Sequence, residues 1–267
     1  MILANYHTHS TFCDGKFAPE EVVQAAMEKG MDAIGFSSHG YTEFDLRYCM
    51  KDTDGYCKEI RRLQEAYKGK IQVYLGIEED AWHPADRSKF DYIVGSCHYY
   101  CVDGKYYPID SNYDYFKKCL ELFSYDPVAM AHAYYEPFCR YIQTRKPDVV
   151  GHYDLITKFD EYADHLFLDN PAYHAVAEQY MAAAAQSGCL FEVNTGAIGR
   201  NLRTTLYPFE NLLQILRKNG NGVVLASDSH TTETLDFGFA EARAYLKDQG
   251  FDGVYVLYDG KFVKDPL

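Results

Sequence analysis

Short apolar runs alternate with amphipathic stretches along the whole chain. Residues 2–6, Ile2-Leu3-Ala4-Asn5-Tyr6, read as a first strand. Pro19-Glu20-Glu21 then opens a helix with Val22, Val23, Ala26 and Met27 on its inward face and Gly30 at its end. Proline suits the first helical turn, and acids suit the positive end of the helix dipole. The same unit recurs. Strands are predicted over 32–39, 71–77, 92–97, 149–151, 190–194 and 223–226. Helices are predicted over 56–67, 113–123, 128–143, 171–187, 209–218 and 237–247, with strand character again from 253 to 263. Strand–helix alternation without a Pro/Gly-rich break predicts one α/β domain, 1–267, with a parallel sheet. Seven such units fit a distorted (β/α)7 TIM-like barrel better than an open sheet, and barrels of this size stay undivided.

In such barrels functional residues collect at the C-terminal ends of the strands. His7 and His9 follow the first strand two residues apart, so they point the same way on an extended backbone. His39, Glu78, His98 and His152 follow the next four, and Asp228 and His230 repeat the same-face spacing after the last. Taken singly, each has an ordinary reading as a surface or core residue. Together with Asp14, which lies in a loop closed by Gly15, they form a set of metal-ligand types at one end of the fold. Six histidines plus Asp14, Glu78 and Asp228 make nine candidate donors. One zinc or iron needs about four to six, so two ions sharing carboxylates, or three, are expected. Imidazole-rich ligation without thiolate suits zinc, iron, manganese or cobalt better than magnesium or calcium. Clustered ions of this kind promote hydrolysis.

Composition narrows the picture. A net charge of −13 gives no basic stripe for nucleic acid, although metal ions leave room for an anionic substrate. The 8 cysteines form no CxxC pair and read as reduced, largely buried residues. Neither a signal peptide nor a membrane span is predicted, so the cytoplasm is the expected location.

His7-Thr8-His9, Asp14, Ser38-His39-Gly40, Gly76-Ile77-Glu78, Ser96-Cys97-His98, Gly151-His152 and Ser227-Asp228-Ser229-His230 resemble, in order, the motif series of the PHP (polymerase and histidinol phosphatase) superfamily. The length and the segment 253–267 are most similar to its stand-alone histidinol-phosphate phosphatases. The resemblance implies a seven-stranded barrel with a trinuclear metal site on its C-terminal face. It places His7, His9, Glu78 and Asp228 on one ion, with Glu78 bridging to a second held by His98 and His152. Asp14, His39 and His230 hold the third; some relatives carry histidine where this chain has Asp14. The choice of Glu78 over Glu79 rests on the Gly-x-Glu pattern.

The activity so implied is metal-dependent hydrolysis of L-histidinol phosphate, with a hydroxide between two metals attacking phosphorus. His7, His9, Glu78, Asp228 and His230 are the residues expected to carry it. Arg200 and Arg203, after the sixth strand, are candidates to fork phosphate oxygens, and Arg200 lies nearer the Asn194-Thr195-Gly196 turn. Close relatives often place an arginine where this chain has Thr157; Lys158 is the neighbouring substitute, a point charge rather than a fork. That departure keeps open another small phosphate, such as a nucleotide or sugar phosphate. A metal-binding protein without turnover is the reading from another class. The expected partner is a small phosphate monoester, not nucleic acid or membrane, with the chain a monomer or small homo-oligomer.

Overall fold

The computed structural model describes residues 1–162 and 165–267. In chain order the elements are β1 (Ala4–Asn5), α1 (Pro19–Glu28), β2 (Ala33–Phe36), α2 (Thr53–Ala66), β3 (Gln72–Asp80), β4 (Tyr92–Ser96), β5 (Tyr99–Val102), β6 (Lys105–Pro108), α3 (Tyr113–Leu122) and α4 (Pro127–Arg145). There follow β7 (Val149–Val150), α5 (Pro171–Ala185), β8 (Leu190–Asn194), the short α6 (Gly196–Gly199), α7 (Glu210–Asn219), β9 (Val223–Ala226), α8 (Phe239–Asp248), β10 (Gly253–Tyr258) and β11 (Lys261–Pro266). Seven strands pair in parallel in the order β1-β2-β3-β4-β7-β8-β9. The ring is nearly closed by a parallel bridge between Thr8 and Ser229, with His9 N–H donating to the Ser229 carbonyl at 2.8 Å and Ser229 N–H to that of His7 at 3.1 Å.

Local chemistry sets the boundaries. Asp52, Asp126 and Asn170 each accept backbone N–H groups at the start of α2, α4 and α5, and Pro127 and Pro171 occupy the first turns that follow. The Asp52 cap starts α2 three residues earlier than the apolar pattern alone placed it. All residues of β2 and β9 are buried, as expected for parallel strands covered by helices. Strand β3 runs on through Glu78 to Asp80, because Glu78 pairs with Val94 and Asp80 with Ser96; the sequence reading had ended it at Ile77.

The far end of the barrel is filled by aromatic rings. Tyr6 packs edge-on against Tyr74, Tyr92 and Phe262 at centroid distances of 6.0–6.2 Å. Tyr92 crosses the interior, and a Cβ on Gly35 or Gly76 would lie 2.4 Å or 2.2 Å from its side chain, which explains those glycines. The 253–267 segment forms an antiparallel hairpin, β10–β11, across this end and is not an eighth barrel strand. At the opposite end a second hairpin, β5–β6, meets the loop before α2, with Phe44 stacked on Tyr106 at 3.9 Å.

Candidate active site

The backbone after β1 fixes the first two histidines. Thr8, between them, turns toward β2 and donates its hydroxyl to the Gly35 carbonyl at 2.7 Å, so His7 and His9 both face inward. Their rings lie 5.3 Å apart. Glu78 enters from β3 on the same side. His39 follows β2, His98 follows β4, His152 follows β7, and Asp228 and His230 follow β9.

Glu78 is the hub. Its Oε2 lies 3.3 Å from His7 Nε2, 3.6 Å from His9 Nε2 and 2.8 Å from His39 Nδ1. Its Oε1 lies 3.3 Å from His98 Nε2 and 3.1 Å from His152 Nε2. Asp228 Oδ1 stands 3.0 Å from His9 Nε2 and 3.6 Å from His7 Nε2. Asp14 Oδ1 approaches His230 Nε2 at 3.3 Å and His39 Nε2 at 3.7 Å. Three subsets have donor atoms within 4.8 Å of one another: His9, Asp14, His39 and His230; His7, His9 and Glu78; and His39, Glu78 and His98. The structure thus brings together all nine residues singled out as metal donors. Glu79 faces the other way.

These residues fit a metal cluster on a stereochemical test. His7 Nε2, His9 Nε2 and Glu78 Oε2 are buried within a few ångströms of one another, yet none has a hydrogen-bond partner. Such atoms are costly to bury unless something binds them. The outer ring atoms, in contrast, are held. His7 Nδ1 lies 2.7 Å from Glu192, His98 Nδ1 3.2 Å from Asp80, and His230 Nδ1 3.0 Å from the Asp228 carbonyl. On a neutral ring those acceptors favour the proton on Nδ1 and turn the Nε2 lone pair inward, the arrangement that orients histidine ligands. Burial, reinforced by the neighbouring His230 and His39 rings, pushes His9 down to about 3, so it is a neutral donor. For His7, burial also pulls downward, but the Glu192, Glu78 and Asp228 carboxylates outweigh it and hold the ring well above its ordinary pKa. Burial opposes ionisation of Glu78 too, and the His7, His39 and His98 rings reverse that and hold it well below the usual carboxylate range.

A cavity of about 350 Å³ opens over the cluster, lined among others by His39, His98, His152, Arg200, Lys158 and Asp110. Arg200 donates from Nη1 to the Asp228 carbonyl and from Nη2 to Asp228 Oδ2, both at 2.8 Å. Lys158 Nζ reaches the Asp110 carbonyl at 2.8 Å. Arg203 does not join them. The chain after α6 folds back so that Tyr207 bridges Asn194, and this carries Arg203 beneath the loops. There its guanidinium is buried, lies over the Tyr207 ring at 4.2 Å, donates to the Thr157 and Thr205 hydroxyls and stands 3.6 Å from Asp154. Arg203 is a strut under the site, not part of its mouth. Thr157 is equally buried.

A family model described as the PHP domain matches residues 5–196. The chain belongs to the PHP domain family. This PHP chain is 28% identical over 279 residues to a Schizosaccharomyces pombe protein named "Probable histidinol-phosphatase", covering 95% of this chain and 89% of that one. It is 27% identical to a protein of the same name from Deinococcus radiodurans, covering 93% and 94%. In fold it is similar to the crystal structure of histidinol phosphate phosphatase from Lactococcus lactis, complexed with zinc, L-histidinol and phosphate. That match has a TM-score of 0.75 at 21% identity over 98% of this chain and 99% of the other.

Sequence reasoning missed Glu192, Asp80 and Asp110. Glu192 accepts from the His152 backbone N–H at 2.5 Å and from the Asn194 side chain at 2.7 Å, as well as holding His7. Its signal was a lone charge in the apolar run Leu190-Phe191-Glu192-Val193. Asp80 lies inside the extended β3, where it accepts from the His98 backbone N–H at 3.0 Å as well as holding the His98 ring.

Proposed function

We propose that this PHP-family chain is a metal-dependent phosphomonoesterase that hydrolyses L-histidinol phosphate to L-histidinol and phosphate. The observation that carries the reading is a buried, unsatisfied donor set beneath a cavity whose wall holds two cationic side chains, Arg200 and Lys158, suited to a phosphate. The names of the relatives give the substrate. His7, His9, Glu78 and Asp228 would hold one ion, Glu78, His98 and His152 a second, and Asp14, His39 and His230 a third. Zinc, iron or manganese suits this donor set. Bound there, two or three such ions would supply an activated water near neutral pH and would offset the charge of the phosphate.

The side chains do the rest. Glu192 and Asp80 fix the His7 and His98 rings, so the donor atoms need no reorganisation. Arg200, anchored to Asp228 through two hydrogen bonds, stands between the cluster and the cavity and meets phosphate oxygens as a planar fork. Lys158 adds a second positive charge to the cavity lining. The burial of the cluster excludes bulk water, which strengthens every charge interaction within it. The site draws on residues from His7 to His230, so we treat 1–267 as one functional unit acting in the cytoplasm, in histidine biosynthesis.

Thr157 favours a second reading, another small phosphate ester, because the arginine frequent there in close relatives is missing and Arg203 occupies its hydroxyl. Phosphate release by metal-loaded protein from L-histidinol phosphate, beside a panel of nucleotides and sugar phosphates, separates the two. A strong preference for histidinol phosphate is expected. Faster turnover of another ester moves the specificity to the second reading, and bound metal with no release from any ester overturns both.

A further inference from the structure

The cavity wall holds a carboxylate that neither the metal donors nor the phosphate-binding groups account for. Asp110 lies one residue beyond Ile109, whose N–H donates to the His98 carbonyl at 3.0 Å, so it is tied to the strand end that carries His98. Its carboxylate lines the cavity and is 24% exposed, and Lys158 Nζ approaches its Oδ2 at 3.2 Å. Among the described residues, Lys158 is the one side chain that donates to it. The other non-ligand acid in the wall is spent. Asp45 accepts from the Arg47 backbone N–H at 3.1 Å, from Arg47 Nε at 2.8 Å, from Arg47 Nη2 and from the Tyr99 hydroxyl at 3.0 Å. Among the non-ligand carboxylates of this wall, the one left to accept from a bound molecule is therefore Asp110.

A carboxylate here repels a phosphate dianion held over the cluster unless a cation lies between them. In the free protein that cation is Lys158. A phosphate draws Lys158 toward itself and leaves Asp110 uncompensated, at a loss that a neutral alcohol phosphate cannot recover. An ester with its own cation can recover it. We propose that Asp110 is a specificity-determining residue that accepts a hydrogen bond from the cationic end of the substrate, an ammonium or imidazolium, while Lys158 turns to its phosphate. The inference rests on the phosphomonoesterase reading and names its substrate class, phosphate monoesters of cationic alcohols. The rings of Tyr48 and Tyr99, 6.3 Å apart in the same wall, offer apolar surface and π-faces to that end.

The test compares kcat/KM for L-histidinol phosphate and for glycerol 3-phosphate, using metal-loaded wild type, Asp110→Asn and Lys158→Met. Wild type is expected to prefer the cationic ester. Asp110→Asn should lower the ratio of cationic to neutral turnover by at least about tenfold, the worth of one charge-assisted hydrogen bond. Lys158→Met should raise KM for both esters and leave their ratio nearly unchanged. A ratio unmoved in Asp110→Asn, or lowered equally in Lys158→Met, overturns the role of Asp110. Wild type that hydrolyses only the neutral ester overturns the substrate class and leaves a phosphatase standing. Wild type inactive on both overturns the phosphomonoesterase reading itself.

Discussion

The two ends of the barrel are both crowded with buried polar rings, yet they treat their polar atoms in opposite ways. At the closed end, the Tyr6 hydroxyl donates to the Leu257 carbonyl at 2.7 Å, and that of Tyr92 reaches the Tyr6 carbonyl at 2.7 Å. The Tyr74 hydroxyl donates to the Gln72 side chain. At the open end, ring nitrogens and carboxylate oxygens converge, and His7 Nε2, His9 Nε2 and Glu78 Oε2 are left without a hydrogen bond. Unpartnered hydroxyls elsewhere, such as those of Tyr100 and Tyr153, are neutral, whereas the unpartnered donors of His7, His9 and Glu78 lie within 4.8 Å of one another. The first end is finished by folding. The second is completed only by what binds there.

The same contrast is compressed into two adjacent residues. Glu79, on the outward face of β3, accepts from the Tyr141 hydroxyl at 2.6 Å, Arg145 Nε at 2.7 Å and Nη2 at 2.8 Å, and the Ala85 N–H at 2.8 Å. Glu78, on the inward face, has an oxygen with no hydrogen bond. One belongs to stability and the other to chemistry.

Four substitutions press on this division. Glu78→Gln should reduce phosphate release to background and lower bound metal, while circular dichroism and the unfolding midpoint stay close to wild type. A collapse of the fold would place Glu78 with Glu79. Glu192→Gln weakens the brace on His7 and should cost about 10–100-fold in metal affinity, read by competition with a chelator. Glu79→Gln leaves Arg145 without its charge partner and should destabilise by about 2–3 kcal/mol in urea, with metal content per folded molecule unchanged. Tyr92→Phe removes a hydroxyl from the closed end and should cost about 1 kcal/mol with kcat unaltered.

Much of this was legible in the sequence because the fold puts like with like. A strand buried on both faces must be apolar, so its end is marked by the first polar residue, and that residue also faces the site. His7, His39, His98, His152 and Asp228 were found as metal-ligand residue types at or just past such strand ends, in the order of the family's motifs. The rule fails where polarity continues inside a strand. Glu192 and Asp80 lie within β8 and β3, and their ladder partners, not their side chains, define the strands. The β5–β6 hairpin had a local signal, Asp103-Gly104, both at positive φ as a tight hairpin turn requires, but no place in a strand–helix alternation. Arg203 was misplaced for a different reason. Proximity in sequence to a strand end says nothing of a loop that doubles back, and only the pairing of Tyr207 with Asn194 sends this arginine downward.

The bridge between Thr8 and Ser229 has a consequence in time as well as in space. It is the seam of the barrel, and the donors on either side of it, His7, His9, Asp228 and His230, come from opposite ends of the chain. During synthesis the first histidines emerge more than two hundred residues before their partners. No chain that stops short of His230 has the full donor set, so the cluster requires the first and last strands of the barrel to be brought together. A metal ion bound there would act as a clasp on a ring already drawn nearly shut, holding residues 7–9 to residues 228–230.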